Sequence, residues 1–131
     1  MHTNDFNVII EQQIDRSTDM LMSKNAHYNP EGDKLASFKK AAALRGQTPR
    51  QALAGMMLKH TVSVYDLCDA SSVGDLAVWN EKITDHINYL LLLRAIVEEE
   101  GMADPNKRAS EEAIAILREK LTEDKKLPLV G

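Results

Sequence analysis

The sequence predicts an all-α protein, and three observations lead to that fold class. Aromatic residues make up only 5% of the 131 residues, whereas the helix formers Ala, Leu, Met, Glu and Lys are abundant. Apolar residues recur at helical spacing along most of the chain, and clear turn segments separate the periodic stretches. We therefore expect a compact bundle of about five helices that forms one domain over residues 1–131.

The first two helices are separated by a segment rich in turn residues. Apolar periodicity predicts a helix over about residues 4–23, and the following segment, residues 24–32, contains Pro30 and Gly32 and is typical of a loop. A shorter helix is expected over about residues 33–45, because Gly46 suits the position after a helix end.

The third and fourth helices are expected to form a central antiparallel hairpin. Thr48, Pro49 and Gln51 have the pattern of a capping box with proline in the first turn, which predicts a helix to about residue 69. After a break at residues 71–74, a fourth helix is predicted to end at Gly101. The short connection favours antiparallel packing of the two helices.

A last helix is predicted after the loop at residues 104–106, with Ser110 as its cap and residues 125–131 as a frayed tail. The fourth helix is apolar on nearly every side from Ile87 onward. This pattern indicates that neighbouring copies cover part of it, so we expect a homo-oligomer.

Charge and cysteine content exclude several classes of protein. A net charge of −4 argues against binding to bulk nucleic acid. No apolar run is long enough to cross a bilayer, so we expect no membrane partner. Cys68 is the single cysteine, which excludes an intrachain disulfide and is typical of a reducing compartment. The acidic N-terminal stretch does not resemble an export signal, so we expect a cytoplasmic protein.

The fourth helix carries the most informative polar residues. Glu81, Asp85 and Asn88 have the spacing i, i+4 and i+7 and share one stripe, which Leu92 and Ala95 continue. Buried charges need a partner, a metal or a ligand, and two carboxylates suit Mg²⁺. The alternative is a solvated acidic edge on which both carboxylates pair with lysines.

The third helix repeats this spacing at Lys59, Ser63 and Asp66, with His60 beside them. In an antiparallel hairpin the two polar stripes would face each other, which would place Lys59 near a phosphate and Asp66 near a metal. The alternatives are that Lys59 pairs with an acid across the hairpin and that His60 is a partly buried, satisfied histidine. For His60 alone we favour the partly buried, satisfied histidine.

Two further segments have groups that bind small polar or anionic ligands. The predicted loop offers the Lys24 cation, the Asn25 and Asn29 amides and the Tyr28 ring. Equally, Asn25 can cap the preceding helix and Tyr28 can fill the core. Lys39, Lys40 and Arg45 form a basic cluster that suits either an anion or a solvated face. The chain has no phosphate-binding glycine loop, zinc spacing or nucleophile elbow, so we assign no catalytic residue.

Three motifs follow one another in a recognisable order. They are Lys-Asn-x-x-Tyr from Lys24, Met-Met-Leu-Lys-His ending at His60, and Glu-Lys-x-x-Asp-x-x-Asn-Tyr-Leu from Glu81. Over about residues 23–99 this order resembles a group of small tailed-phage proteins. That group is similar in turn to the MazG-like all-α nucleotide pyrophosphohydrolases.

The resemblance implies a dimeric or tetrameric helical bundle that binds Mg²⁺ and cleaves nucleoside triphosphates to monophosphate and pyrophosphate. The metal site of the MazG family uses Glu-x-x-Glu on one helix and Glu-x-x-Asp on the next. Glu81 and Asp85 match the second pair at a spacing of four rather than three. The first pair has no Glu-x-x-Glu equivalent; the third helix offers Asp66-x-x-Asp69, and otherwise Lys59 and His60. A Lys and a His in place of lost carboxylates suit direct phosphate binding.

Three functions are therefore weighed. The first is a phage-type protein that binds and sequesters a nucleotide or nucleotide-derived signal without hydrolysis or a required cofactor, as a decoy against host defence in the infected cell. The second is a divergent Mg²⁺-dependent pyrophosphohydrolase of (deoxy)nucleoside triphosphates, with metal ligands Asp66, Glu81 and Asp85. The third is a helical interaction module. We favour the first because the acidic quartet is incomplete. The expected ligand-binding residues are Lys24, Asn25, His27, Tyr28, Asn29, Lys39, Arg45, Lys59, His60, Ser63, Asn88 and Tyr89.

Overall fold

The computed structural model of the chain describes residues 1–28, 32–102 and 105–126, and it describes side chains over residues 1–23, 32–102 and 109–124. Over the described residues the protein is all-α, which confirms the predicted fold class. The five helices are α1 (Thr3–Tyr28), α2 (Ala36–Arg45), α3 (Pro49–Asp69), α4 (Leu76–Met102) and α5 (Pro105–Lys126).

Four predicted helix boundaries are wrong, and the reasons are local. α2 begins at Ala36 rather than at about residue 33, because Asp33 forms a turn in which its side chain accepts the backbone N–H of Leu35. α1 continues to Tyr28, because the first five residues of the expected loop include no helix breaker. α4 continues through Gly101, since one glycine costs a helix only about 1 kcal/mol relative to alanine. α5 begins at Pro105, a residue suited to the first helical turn, so Ser110 lies inside the helix rather than at its cap.

The connection between α2 and α3 has the predicted chemistry. Gly46 ends α2 with a φ of 63°, a left-handed conformation that glycine adopts readily. The Thr48 hydroxyl accepts a hydrogen bond from the backbone N–H of Gln51 at 3.2 Å, and the Gln51 side chain accepts one from the backbone N–H of Thr48 at 2.9 Å. This capping box confirms the predicted helix start.

The chain divides into two compact units, Met1–Ile96 and Val97–Gly131. The first contains an apolar core formed by Leu35, Phe38, Leu53 and Ile96, each at most 6% exposed. In the second, every described side chain of α5 is exposed. The single domain expected over residues 1–131 stays a prediction, and so does the oligomer.

Contacts between α3 and α4 run in opposite orders along the two helices. Leu53, near the start of α3, shares the core with Ile96 of α4, whereas Thr61, farther along α3, shares a hydrogen bond with His86. This is the order that the predicted antiparallel hairpin requires; the hairpin itself stays a prediction. Within the described residues, none of the helices has the length and hydropathy needed to cross a membrane.

Candidate functional site

Polar side chains are buried along residues 84–89 of α4, a segment we call the polar half of α4. Thr84 and Asn88 are 2% and 5% exposed, and Asp85, His86 and Tyr89 are half-buried. Burial of so many polar groups in adjacent turns is costly unless each finds a partner. Thr84, Asp85, His86 and Tyr89 make contacts with α1, α2 and α3.

On the α1 side, the polar half of α4 meets two polar residues. The Gln13 amide donates hydrogen bonds to the Thr84 hydroxyl at 3.0 Å and to the Ser17 hydroxyl at 3.2 Å. Ser17 is itself buried. This small network satisfies the Thr84 hydroxyl inside the fold.

On the α3 side, His60 lies between a carboxylate and an aromatic ring. Its Nδ1 atom is 3.9 Å from Oδ2 of Asp85. The His60 and Tyr89 rings are tilted by 33°, with their centroids 4.6 Å apart. Tyr89 also makes an edge contact with Phe38 of α2, at 6.3 Å and 75°. His60, Asp85 and Tyr89, three residues singled out in the sequence, therefore lie in one neighbourhood.

The electrostatic surroundings favour the neutral form of His60. Burial is the largest effect and lowers the pKa of the imidazole below its ordinary value of 6.5. Asp85 acts in the opposite direction, while Lys59, Lys82 and His86 lower the pKa further. At neutral pH the ring is therefore uncharged, so it can both donate and accept a hydrogen bond.

Asn88 differs from its buried neighbours because its side chain has no hydrogen-bond partner among the described residues. Neither Nδ2 nor Oδ1 is paired, although both atoms are inaccessible to solvent. A buried amide left unsatisfied costs about 1–3 kcal/mol. The Asn88 amide thus keeps one acceptor and two donors unused at a buried position, which folding alone does not explain.

The three expected metal ligands are not gathered in this conformation. Asp66 and Glu81 are exposed, and the Glu81 carboxylate lies 4.0 Å from the Lys82 ammonium. Within the described part of the chain, no group of three His, Cys, Asp or Glu side chains is arranged to hold a metal ion. A Mg²⁺ role for Asp66, Glu81 and Asp85 stays a prediction.

Other expected ligand-binding residues have different surroundings. The Lys39 ammonium pairs with the Asp33 carboxylate, which also accepts the backbone N–H of Leu35 at 2.9 Å. The hydrogen bond from Lys39, followed by that from Leu35, lowers the pKa of Asp33. Arg45 is exposed in the last turn of α2. Lys39 therefore has a structural role at the start of α2.

Lys59 and Ser63 do not form a polar stripe toward α4. Lys59 is exposed, and the Ser63 hydroxyl donates back to the Lys59 carbonyl at 2.9 Å within α3. Four residues of the expected binding loop have helical backbone in α1, but their side chains lie outside the described residues, as does Asn29 entirely. Those four are Lys24, Asn25, His27 and Tyr28.

Sequence reasoning missed the α1 contribution to this region. Gln13 and Ser17 occupy positions of the apolar stripe of α1, and two polar residues on such a stripe are a signal of a buried polar contact. It also missed the hydrogen bond of 3.0 Å between Thr61 and His86. Neither pairing can be identified without knowing which helices are neighbours.

Comparisons of the chain with protein-family models, with curated proteins and with solved structures found no match. The resemblance to small tailed-phage proteins and to MazG-like enzymes stays a prediction. The chemistry of this region therefore rests on its residues alone. They are the unpaired Asn88 amide, the neutral His60 imidazole from α3 that packs against the Tyr89 ring, and lysines close enough to lower the pKa of His60.

Proposed function

We propose that this protein binds a nucleotide or a nucleotide-derived signal at the polar half of α4 and sequesters it without hydrolysis. One observation carries the proposal: the buried side chain of Asn88 has no partner among the described residues. The combined donor and acceptor groups of an asparagine match those on the edge of a nucleobase. Folding alone would favour an apolar residue at this position.

The surrounding groups suit the other parts of such a ligand. Lys59 and Lys82 both lie close enough to His60 to lower its pKa, and ammonium groups attract phosphate. A neutral His60 adds a donor and an acceptor beside the Tyr89 ring. The resemblance to tailed-phage proteins supports the further proposal that the bound molecule is a defence signal and that the protein acts as a decoy.

Hydrolysis is the alternative and makes a different demand on the site. A Mg²⁺-dependent pyrophosphohydrolase would need Asp66, Glu81 and Asp85 to act together on the metal and its phosphates. Two of these carboxylates are exposed here. Binding without hydrolysis requires no such rearrangement and is therefore the function that we put forward.

The first test is a ligand panel. The purified full-length protein is incubated with linear and cyclic nucleotides, with and without Mg²⁺, and the free and heat-released small molecules are identified by mass spectrometry. We expect one intact ligand class to be released only by heat, whether or not Mg²⁺ is present. Mg²⁺-dependent formation of monophosphate and pyrophosphate would support the hydrolase instead, and failure to retain any nucleotide would reject the binding proposal.

Asn88→Leu separates a ligand contact from a structural role. Since the substitution removes an unsatisfied buried amide, we expect the free energy of unfolding to rise by about 1 kcal/mol while ligand affinity falls at least about tenfold. The matched control is Asn80→Leu, the same change two turns earlier at a half-buried position, which should leave affinity unchanged. An Asn88→Leu protein with wild-type affinity would remove Asn88 from the site.

A further inference from the structure

The first half of α1 presents a row of large apolar side chains that the rest of the first unit leaves exposed. All residues from 1 to 12 are exposed, and the row continues past them for one more turn. Its members are 42–59% exposed. We call this row the outer stripe, and it consists of Phe6, Ile9, Ile10 and Ile14.

The outer stripe continues a surface that is already used inside the fold. At about 100° per residue, Gln13 and Ser17 lie on the same side of α1 as the outer stripe, and they make the contact with Thr84 of α4. Where Gln13 and Ser17 meet α4, this face is polar and satisfied. Phe6, Ile9 and Ile10 precede this contact on the helix and Ile14 lies beside it, so this exposed part of the face is aliphatic and aromatic.

We propose that the outer stripe is the contact between two copies of this chain, which pair their α1 helices about a two-fold axis. At about 150–250 Å² for a large apolar side chain, the four residues expose on the order of 400 Å² per chain. Two copies thus contribute about 800 Å², close to the roughly 1,000 Å² that a specific interface needs.

The charge pattern of α1 favours a second copy over an anionic surface. Asp5 and Glu11 flank the outer stripe, Asp15 lies on the far side of the helix, and Arg16 is the one Lys or Arg residue among residues 1–23. Their net negative charge repels anionic lipid or nucleic acid. Because these carboxylates lie to the side, they do not prevent two identical apolar stripes from meeting, as a two-fold interface requires.

The test measures self-association of the full chain by sedimentation velocity over a wide concentration range. Wild-type protein is expected to sediment as a dimer or a larger assembly. Ile10→Glu places a charge in the proposed contact and should weaken association at least about hundredfold. The matched control is Val8→Glu, because Val8 is 50% exposed on the opposite side of the same helix, and it should assemble like wild type.

A second variant, Ile14→Glu, guards against a folding defect, since Ile14 is the most exposed member of the stripe and far-UV circular dichroism reports whether the helices remain. Folded but dissociated Ile10→Glu and Ile14→Glu proteins would support the proposal. It would be overturned by a wild-type monomer at every concentration, by Ile10→Glu that assembles normally, or by Val8→Glu that dissociates equally. A wild-type monomer that binds phosphatidylglycerol vesicles would assign the stripe to lipid instead. None of these outcomes depends on nucleotide binding.

Discussion

Two neighbouring regions of α4 are buried by different chemistry. In the polar half of α4, Thr84 and Asn88 are almost completely buried, and one is paired while the other is not. Two turns later Ile96 is equally buried, but it packs into an apolar core with Leu53 of α3. The same helix therefore supports a polar interior and an apolar interior within a few residues.

The difference separates groups that stabilise the fold from groups that folding alone does not require. Removing apolar side chains from water is the main favourable term in folding, so the core around Ile96 stabilises the first unit. Buried polar groups contribute little even when paired and are unfavourable when unpaired. Replacing Asn88 with an apolar residue is therefore expected to stabilise the first unit.

The largest expected effect of a single substitution is in the apolar region. Leu53 is 0% exposed, and Leu53→Ala should lower the free energy of unfolding by about 2–5 kcal/mol, measured by urea denaturation, because it leaves a cavity. Leu58→Ala, on the exposed side of the same helix, should change it by no more than about 0.5 kcal/mol. Equal losses for both variants would mean that Leu53 does not lie at the centre of the core.

An intermediate effect is expected where a polar group is paired. Thr84→Val preserves the shape of the side chain but leaves the Gln13 amide without one acceptor. The free energy of unfolding, measured by urea denaturation, should therefore fall by about 1–2 kcal/mol. Thr18→Val is the control, since Thr18 is exposed and bonds only to the Ile14 carbonyl of its own helix. If Thr84→Val were as stable as wild type, the buried network with α1 would contribute nothing to stability.

The smallest effect concerns pH. Because burial lowers the pKa of His60 below 6.5, the unfolded chain binds this proton more readily than the folded one. The contribution of His60 to stability is thus fully present above pH 6.5 and is lost as the pH falls through the lowered pKa. Urea unfolding between pH 8 and pH 5 should show a smaller decline for His60→Gln than for wild type, and identical pH profiles would contradict the assignment.

The sequence predicted the fold class because helical spacing recurs along most of the chain. The structure brings His60, Asp85 and Tyr89 together, but Lys59 and Ser63 of the predicted α3 stripe do not face α4, so the composition of the site stays a prediction. Helix ends were less predictable, because a helix continues through a residue such as Gly101 when the gain in hydrogen bonds exceeds a small local penalty.

What spacing cannot supply is the identity of the neighbouring helix. Gln13 contacts Thr84 across 71 positions of sequence, and no local pattern specifies that pairing. Glu81 shares the stripe of Asp85 but is exposed, because a stripe is buried only as far as its neighbours extend. These two residues show why local periodicity indicates which residues share a helix face but not how far that face is buried.

The tight connection between α2 and α3 also bears on the order in which the chain folds. Only Gly46, Gln47 and Thr48 separate the two helices, and their backbones pack with Cα atoms within 8 Å of each other. Closing so short a loop takes about 10–100 ns, far less than bringing Gln13 to Thr84. We therefore expect the α2–α3 pair to form early and to act as the template on which α4 and then α1 assemble, so that the polar half of α4 is enclosed last.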